Sequence, residues 1–137
     1  MDVVFKSRAR SVTHNLLRIV TGLFFWQHGA QKLLGWLGGQ QVETLASWMG
    51  VAGILEFFGG LLIAAGLLTR PVAFVLAGEM AVAYFWVHAP QSVWPIMNRG
   101  ELAALFCFIF LYFVAHGAGS FSLDRLLSRR SRQPRSE

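Results

Sequence analysis

The sequence contains few charged residues and a single cysteine. Lysine, arginine, aspartate and glutamate make up 14% of the 137 residues, whereas an ordinary soluble domain carries about 25%. Hydrophobic residues make up 55%, which is the opposite of the composition of a disordered chain. A chain of this length has too little interior to bury so much apolar surface as a soluble enzyme. The lone Cys107 excludes a disulfide scaffold and any CxxC zinc or thioredoxin-type site.

The common cofactor and catalytic motifs are also missing. Neither a GKS/T nor a GxGxxG phosphate loop occurs in the sequence. Its His, Cys, Asp and Glu residues do not cluster at the spacing of zinc ligands, and no pattern marks a Ser/His/Asp hydrolase. We therefore expect no metal site, and no cofactor is evident from motifs.

Long apolar runs dominate what is present. They cover about residues 15–34, 48–68, 71–89 and 101–117. A bilayer-spanning helix needs about 17–25 residues, and the runs are too long for strands and do not alternate. The sequence therefore predicts an all-α integral membrane four-helix bundle over residues 15–119. A basic segment, 1–14, precedes it, and a basic tail, 120–137, follows it and is expected to be disordered after Leu127.

Basic residues lie on one side of this predicted arrangement. They are Lys6, Arg8, Arg10 and Arg18 near the first helix, Arg70 between the second and third, and Arg125, Arg129, Arg130, Arg132 and Arg135 after the fourth. The loop 35–47 has no Lys or Arg, and the loop 90–100 has only Arg99. The positive-inside rule places both termini in the cytoplasm. The tail is expected to contact anionic lipid, and nucleic acid is not an expected partner because no folded module would present the arginines.

Several polar side chains fall inside the predicted spans. A charge at the centre of a membrane helix costs about 2.5–3.5 kcal/mol on insertion scales, so each needs a partner, a wet cavity or a neutral state. In the first helix His28, Gln31 and Lys32 share one face, because residues three or four apart are neighbours. The facing stripe of the second helix carries Glu56 among small residues that allow close approach. We expect Glu56 to pair with Lys32 or His28.

Three further candidates lie on the third and fourth helices. Glu79 falls near mid-depth, Tyr112 at about the same depth by helical rise, and Glu101 near the outer boundary. Purely structural interpretations remain open for this set. Buried acids can pair only to fix helix register, Lys32 can extend towards the headgroups, and Glu101 suits the first turn of a helix.

Four motifs occur in a fixed order along the chain. They are His28-Gly29-Ala30-Gln31-Lys32, Glu56-Phe57-Phe58-Gly59-Gly60, Gly100-Glu101 and Ser122-Leu123-Asp124. Over about residues 12–127 the chain resembles the DoxX family of small four-helix bacterial inner-membrane proteins. Ala118 stands where proline is common in that family, which we expect to alter only a turn. The resemblance implies a multi-pass protein of the bacterial inner membrane.

The resemblance also implies a function. The family takes its name from a subunit of a thiosulfate:quinone oxidoreductase, and some members are linked to membrane redox complexes. We therefore expect an accessory protein or subunit of a quinone-linked redox system, with quinone as a possible ligand. A redox-complex protein and a second copy of the chain are possible partners. The candidate ligand or proton-relay residues are His28, Gln31, Lys32, Glu56, Glu79, Glu101 and Tyr112. The alternatives are a non-catalytic membrane adaptor that binds a partner protein, and a carrier of small solutes or protons.

Overall fold

The computed structural model describes residues 2–131, and these residues form helices and loops without any strand. The helices are α1 Asp2–Leu34, α2 Trp48–Ala65, α3 Thr69–Ala83, α4 Pro95–Asn98, α5 Glu101–His116 and α6 Leu123–Arg130. A π-helical segment, Tyr84–His88, continues α3. The all-α class is thus confirmed for the described part of the chain. Arg132 and Arg135 of the predicted basic tail lie outside the described residues.

Two helices in residues 2–131 are long and apolar enough to cross a membrane. They are Trp48–Ala65 and Thr69–His88, the second being α3 with its π segment. The helix α5 is apolar but has only 16 residues. The predicted first span is part of α1, which carries Arg18, His28 and Lys32 along that stretch. The four-span bundle with both termini in the cytoplasm therefore stays a prediction.

The first helix begins much earlier than the sequence analysis expected. A basic segment was predicted before a helix starting near residue 15, but α1 is continuous from Asp2. No glycine or proline occurs between residues 2 and 21 to interrupt it, and hydroxyls at Ser7 and Thr13 bond back to carbonyls of the preceding turn. Charge alone does not end a helix, so the basic segment extends α1.

The predicted disorder after Leu127 is wrong for residues 128–130. They belong to α6, which begins after Ser122. The Ser122 hydroxyl accepts a hydrogen bond from the Arg125 amide at 3.3 Å, as an N-cap does. Asp124 in the first turn adds a favourable charge at the helix N-terminus. The Ser-Leu-Asp motif is therefore a helix start.

Close packing joins α1 to α2 and α3 to α5. Glycines make the first contact possible, because a Cβ at Gly60 would lie 2.5 Å from the backbone nitrogen of Trp26. A Cβ at Gly22 would lie 2.6 Å from the Gly60 carbonyl oxygen. The two backbones touch at this crossing, as small residues allow in membrane helices.

The apolar core lies between α3 and α5, with α1 against it. Phe25 of α1 is buried and meets Phe106 and Phe110 of α5 edge-on, at ring-centroid distances of 5.2 and 4.8 Å. Leu76 of α3 is also buried in this cluster. Because Phe25 lies between His14 and Lys32 along α1, the aromatic core separates a polar group that includes His14 from another that includes Lys32.

Candidate functional site

A cavity of about 580 Å³ opens between α2 and α3, beside the last turn of α1. Four ionisable side chains line it, namely Lys32, Glu56, Glu79 and His88. The remaining walls are mostly aliphatic and aromatic, and they include Trp48 and Trp86. A largely apolar cavity with a few convergent polar groups is typical of a small-molecule site.

Lys32 and Glu56 form an ion pair on one wall of the cavity. The Lys32 Nζ lies 2.6 Å from Glu56 Oε1 and also donates to Oε2. The Glu56 side chain is 5% exposed and that of Lys32 is 20% exposed. The predicted pairing of Glu56 with Lys32 is therefore confirmed. The pair joins α1 to α2 and leaves this wall close to neutral.

Glu79 lies in the same cavity without any polar partner. Both of its carboxyl oxygens are buried and make no hydrogen bond. The Lys32–Glu56 contact is the only ion pair found in residues 2–131, so no cation lies within salt-bridge distance of Glu79 there. Burying an ionised carboxylate in this way is costly. The group requires a proton, water or a ligand, and it distinguishes the cavity from a simple packing defect.

His88 reaches the cavity because the helix changes register before it. The Ala89 amide bonds to the Tyr84 carbonyl at 2.8 Å, five residues back, which defines the π-helical segment. In a regular α-helix the nine residues from Glu79 to His88 make about two and a half turns, so the two side chains would lie on opposite faces. Single π turns of this kind are frequent at functional sites.

Hydrogen bonding fixes the protonation of one ring nitrogen of His88. Its Nδ1 lies 2.9 Å from the Asn98 carbonyl oxygen. A carbonyl oxygen only accepts, so Nδ1 carries a proton. In the neutral ring the other nitrogen, Nε2, is then an acceptor. Asn98 is itself fully buried, and its side-chain oxygen accepts from the Gly100 amide at 2.7 Å.

Two tryptophans form the aromatic part of the cavity wall. The rings of Trp48 on α2 and Trp86 on the π segment meet edge-to-face, with centroids 5.0 Å apart. Both side chains remain more than half exposed in the isolated chain. This pair lies at the mouth of the cavity, and indole rings are side chains that favour the zone where lipid meets water.

Three of the predicted site residues lie away from the cavity. His28 is half-buried against Phe106, with ring centroids 6.2 Å apart. The Gln31 side-chain amide donates to the Leu37 carbonyl at 3.1 Å and so stabilises the turn after α1. Glu101 is exposed in the first turn of α5. The structure thus brings Lys32, Glu56 and Glu79 together and leaves these three outside the cavity lining.

Tyr112 belongs to a different polar group. Its hydroxyl lies 3.0 Å from His14 Nδ1, and its ring stacks on His116 with centroids 4.1 Å apart. The predicted equal depth with Glu79 is wrong. Tyr112 lies four residues from the end of α5, whereas Glu79 lies ten residues from the adjacent start of α3, a difference of roughly 9 Å in rise. The sequence analysis did not single out His14, although it lies one turn before Arg18.

Arg18 is buried where α2 ends. Its side chain is 1% exposed, and its guanidinium donates to the carbonyls of Ile63 at 2.7 Å and Ala64 at 2.5 Å. Basic side chains commonly satisfy the last carbonyls of a helix. Nearby, the Asp124 carboxylate accepts from the amides of Leu68 and Thr69 at 2.8 and 3.1 Å and so caps α3. Several motif residues therefore tie helix ends together.

Comparison with known proteins identifies the family. The DoxX family model matches residues 14–89, which is more than half of the chain. The chain belongs to the DoxX family. The matched region runs from His14 to the end of the π segment, and it contains all four ionisable residues of the cavity. The all-helical chain is therefore a membrane protein of the DoxX family.

Three curated relatives extend the match. A Haemophilus influenzae protein named "Uncharacterized protein" is 42% identical over 79% of this chain and 85% of its own length. "Inner membrane protein YqjF" of Escherichia coli is 34% identical over 82% of this chain and 90% of its own length. "Putative oxidoreductase CatD" of Bacillus subtilis is 31% identical over 80% and 82%. No solved structure shows a significant match.

Proposed function

We propose that this DoxX protein binds the headgroup of a membrane quinone in the cavity between α2 and α3. In this role it serves as an accessory protein or subunit of a membrane redox system. The names of two relatives, "Inner membrane protein YqjF" and "Putative oxidoreductase CatD", agree with such a setting. The proposal rests on the chemistry of the cavity and does not assign a complete catalytic cycle to this chain.

The proposal includes a topology. We take α1, α2, α3 with its π segment, and α5 as four spans of a bacterial inner membrane, with both termini in the cytoplasm. Basic residues support this orientation, since Arg70, Arg125 and the arginines of α1 lie at the end where α2 meets α3. The cavity opens near the start of α2, beside Trp48 and Trp86, and therefore belongs to the outer half of the membrane.

One observation carries the proposal, namely the unpartnered carboxyl group of Glu79 in a mostly apolar cavity. Beside it, Lys32 already neutralises Glu56. An ion pair that only fixes helix register does not require a cavity beside it. A cavity left by imperfect packing does not require a carboxyl group in its wall. The combination indicates a ligand with an apolar body and a small number of polar atoms.

The residues present fit a quinone headgroup. A benzoquinone ring is flat and apolar with two oxygen atoms, and Trp48, Trp86 and the aliphatic walls offer it apolar contact. Lys32 is a hydrogen-bond donor to a quinone carbonyl. Glu79 and the Nε2 atom of His88 are placed on the same cavity and can take up protons from hydroxyl groups. A bound quinone would supply reversible transfer of two electrons and two protons within the membrane.

A second candidate function is a membrane adaptor without a ligand. The observation that favours it is the Lys32–Glu56 contact, which links α1 to α2. Fixing the register of these two helices is a sufficient role for such a pair. In that case Glu79 contributes nothing beyond packing, and a partner protein docks elsewhere on the surface.

Mass spectrometry of extracted small molecules distinguishes the two. The protein is purified from its native membrane as wild type, Glu79→Gln and Glu101→Gln, where the last is a matched control because Glu101 lies outside the cavity. We expect quinone with the wild type and the control, and at least about tenfold less with Glu79→Gln. No quinone in any of the three, together with a stoichiometric protein partner, would support the adaptor.

A further inference from the structure

A second site lies at the other end of α2 from the cavity. Its central residue is Arg18, whose guanidinium is buried without a carboxylate. The three acceptors of its NH groups are all backbone carbonyls, those of Ile63, Ala64 and Phe121, and its Nε has no partner. Asp124, the nearest acid, is committed to the amides that start α3 and forms no ion pair with Arg18. Within residues 2–131, Arg18 therefore has no carboxylate within salt-bridge distance, although the more distant Asp124 charge favours it.

Arg18 lies on the wall of an open groove of about 470 Å³ between the end of α2 and α6. Two more arginines of α6, Arg125 and Arg129, line the same groove. They are four residues apart and so share one face of the helix. No acidic residue is among the lining residues, which leaves three positive charges around one concave surface.

Apart from Ser120 and Ser122, the rest of the groove is apolar. Ala64 and Ala65 of α2 form one side, and Phe121 and Leu126 form the other. Phe121 is 73% exposed and Leu126 is 54% exposed, although both lie next to arginines. Large apolar side chains exposed beside basic ones are typical of helices that lie in the membrane interface. The groove thus offers cationic and apolar contact within one site.

We propose that this groove, here named the Arg18 groove, binds an anionic phospholipid. The phosphate lies against Arg125 and Arg129 and supplies a nearby countercharge to Arg18, while an acyl chain runs along Ala64, Ala65 and Leu126. Charge complementarity selects this occupant over a zwitterionic lipid, and the apolar walls select it over free phosphate. Arginine pairs with phosphate oxygens through two parallel hydrogen bonds, which suits the forked side chains of Arg125 and Arg129.

Hydrogen bonds hold the start of α6, which carries two of the three arginines, against the α2–α3 turn. The Asp124 amide donates to the Gly66 carbonyl at 2.9 Å, and its carboxylate caps α3. Together with the Arg18 contact to Phe121, these bonds hold the start of α6 against the α2–α3 turn. The two arginines of α6 are therefore presented from a docked helix, unlike the basic residues near the start of α1. This contrast supplies a matched control.

Lipid binding to the full-length protein in a neutral detergent tests the proposal. Native mass spectrometry measures the affinity for dioctanoyl phosphatidylglycerol, dioctanoyl phosphatidylcholine and inorganic phosphate. The variants are Arg125→Gln/Arg129→Gln and, as a control with the same loss of charge, Arg8→Gln/Arg10→Gln. Substitution of Arg18 itself is avoided because its loss would leave the last carbonyls of α2 unsatisfied.

We expect phosphatidylglycerol to bind the wild type more tightly than either other probe. The α6 double variant should lose roughly 30-fold in affinity, because each basic residue near an anionic headgroup contributes a factor of about five. The control should stay within about twofold of the wild type. An equal loss in both double variants would overturn the proposal by showing only diffuse attraction. Inorganic phosphate that binds as tightly as the lipid would overturn the assignment to a phospholipid.

Discussion

Three buried ionisable groups or pairs of this protein have different surroundings. Lys32 and Glu56 compensate each other directly. Arg18 is held by the carbonyls that end α2, and Glu79 has no partner within the described chain. Hydrogen bonds and ion pairs within the chain hold helices together, whereas the carboxyl group without any hydrogen bond marks the place in the cavity where we propose that a ligand binds. This difference separates the structural residues from the candidate site.

The Lys32–Glu56 pair is expected to stabilise the contact between α1 and α2. Lys32→Met or Glu56→Gln alone leaves one buried polar group without its partner, and each should lower the free energy of unfolding by about 3 kcal/mol. The double variant should recover much of that loss, since neither group then remains uncompensated. Unfolding by sodium dodecyl sulfate in mixed micelles measures all three.

The same substitution at a surface acid provides the control. Glu101→Gln removes a carboxylate from an exposed first turn, where the charge contributes only about 0.3–1 kcal/mol. If the single variants at Lys32 and Glu56 are no less stable than Glu101→Gln, the pair does not hold the helices in register.

At the scale of the helices, the close crossing of α1 and α2 depends on glycine residues. A methyl group at Gly60 would overlap the Trp26 backbone, whereas one at Gly78 on α3 would meet nothing within 4 Å. Gly60→Ala should therefore destabilise the protein by about 1–3 kcal/mol. Gly78→Ala should be neutral or stabilising by about 0.5–1 kcal/mol, because alanine is the better helix former. Thermal unfolding measures the stability of both variants. The difference between them isolates the steric overlap at Gly60, because both carry the same gain in helix propensity.

The sequence predicted which segments are helical better than it predicted where the helices begin and end. Apolar runs predicted helices near those observed as α2, α3 and α5, because length and composition are local properties. The early start of α1 was missed, because a cluster of basic residues does not reveal whether the backbone stays helical. The helix over residues 128–130 was not predicted, because the cap of α6 is built by Ser122 and Asp124 in turn caps α3 across space.

The residues of the candidate site were also only partly predictable from the sequence. Helical spacing and the cost of a buried charge predicted the Lys32–Glu56 pair. His88 was missed as a cavity residue because the π segment rotates it, and nothing in a single sequence reports that register change. Helical spacing placed His28 on the face of Lys32, and helical rise placed Tyr112 level with Glu79. Which side chains then meet depends on how α5 packs against the other helices, and this is a long-range property.

For the whole molecule, the central expectation is that the basic residues lie on the cytoplasmic side of the membrane and that the cavity opens towards the outer side. This is testable with single cysteines in a Cys107→Ala background. Gln40→Cys lies in the exposed loop before α2, and Ser128→Cys lies in exposed α6. A membrane-impermeant maleimide applied to intact spheroplasts should label position 40, and should label position 128 only after lysis.

The topology allows a further check within the same experiment. Ser7→Cys in α1 should behave like position 128, because both termini are expected in the cytoplasm. Labelling of positions 40 and 128 from the same side would contradict the four-span arrangement.

The most direct test of the cavity as a quinone site is an equilibrium titration with a soluble short-chain benzoquinone. Quenching of tryptophan fluorescence reports binding, because Trp48 and Trp86 line the cavity. Wild type and Glu101→Gln should bind with the same affinity, and Glu79→Gln should bind at least about tenfold more weakly. Equal affinity in all three, or no saturable quenching in the wild type, would contradict the assignment.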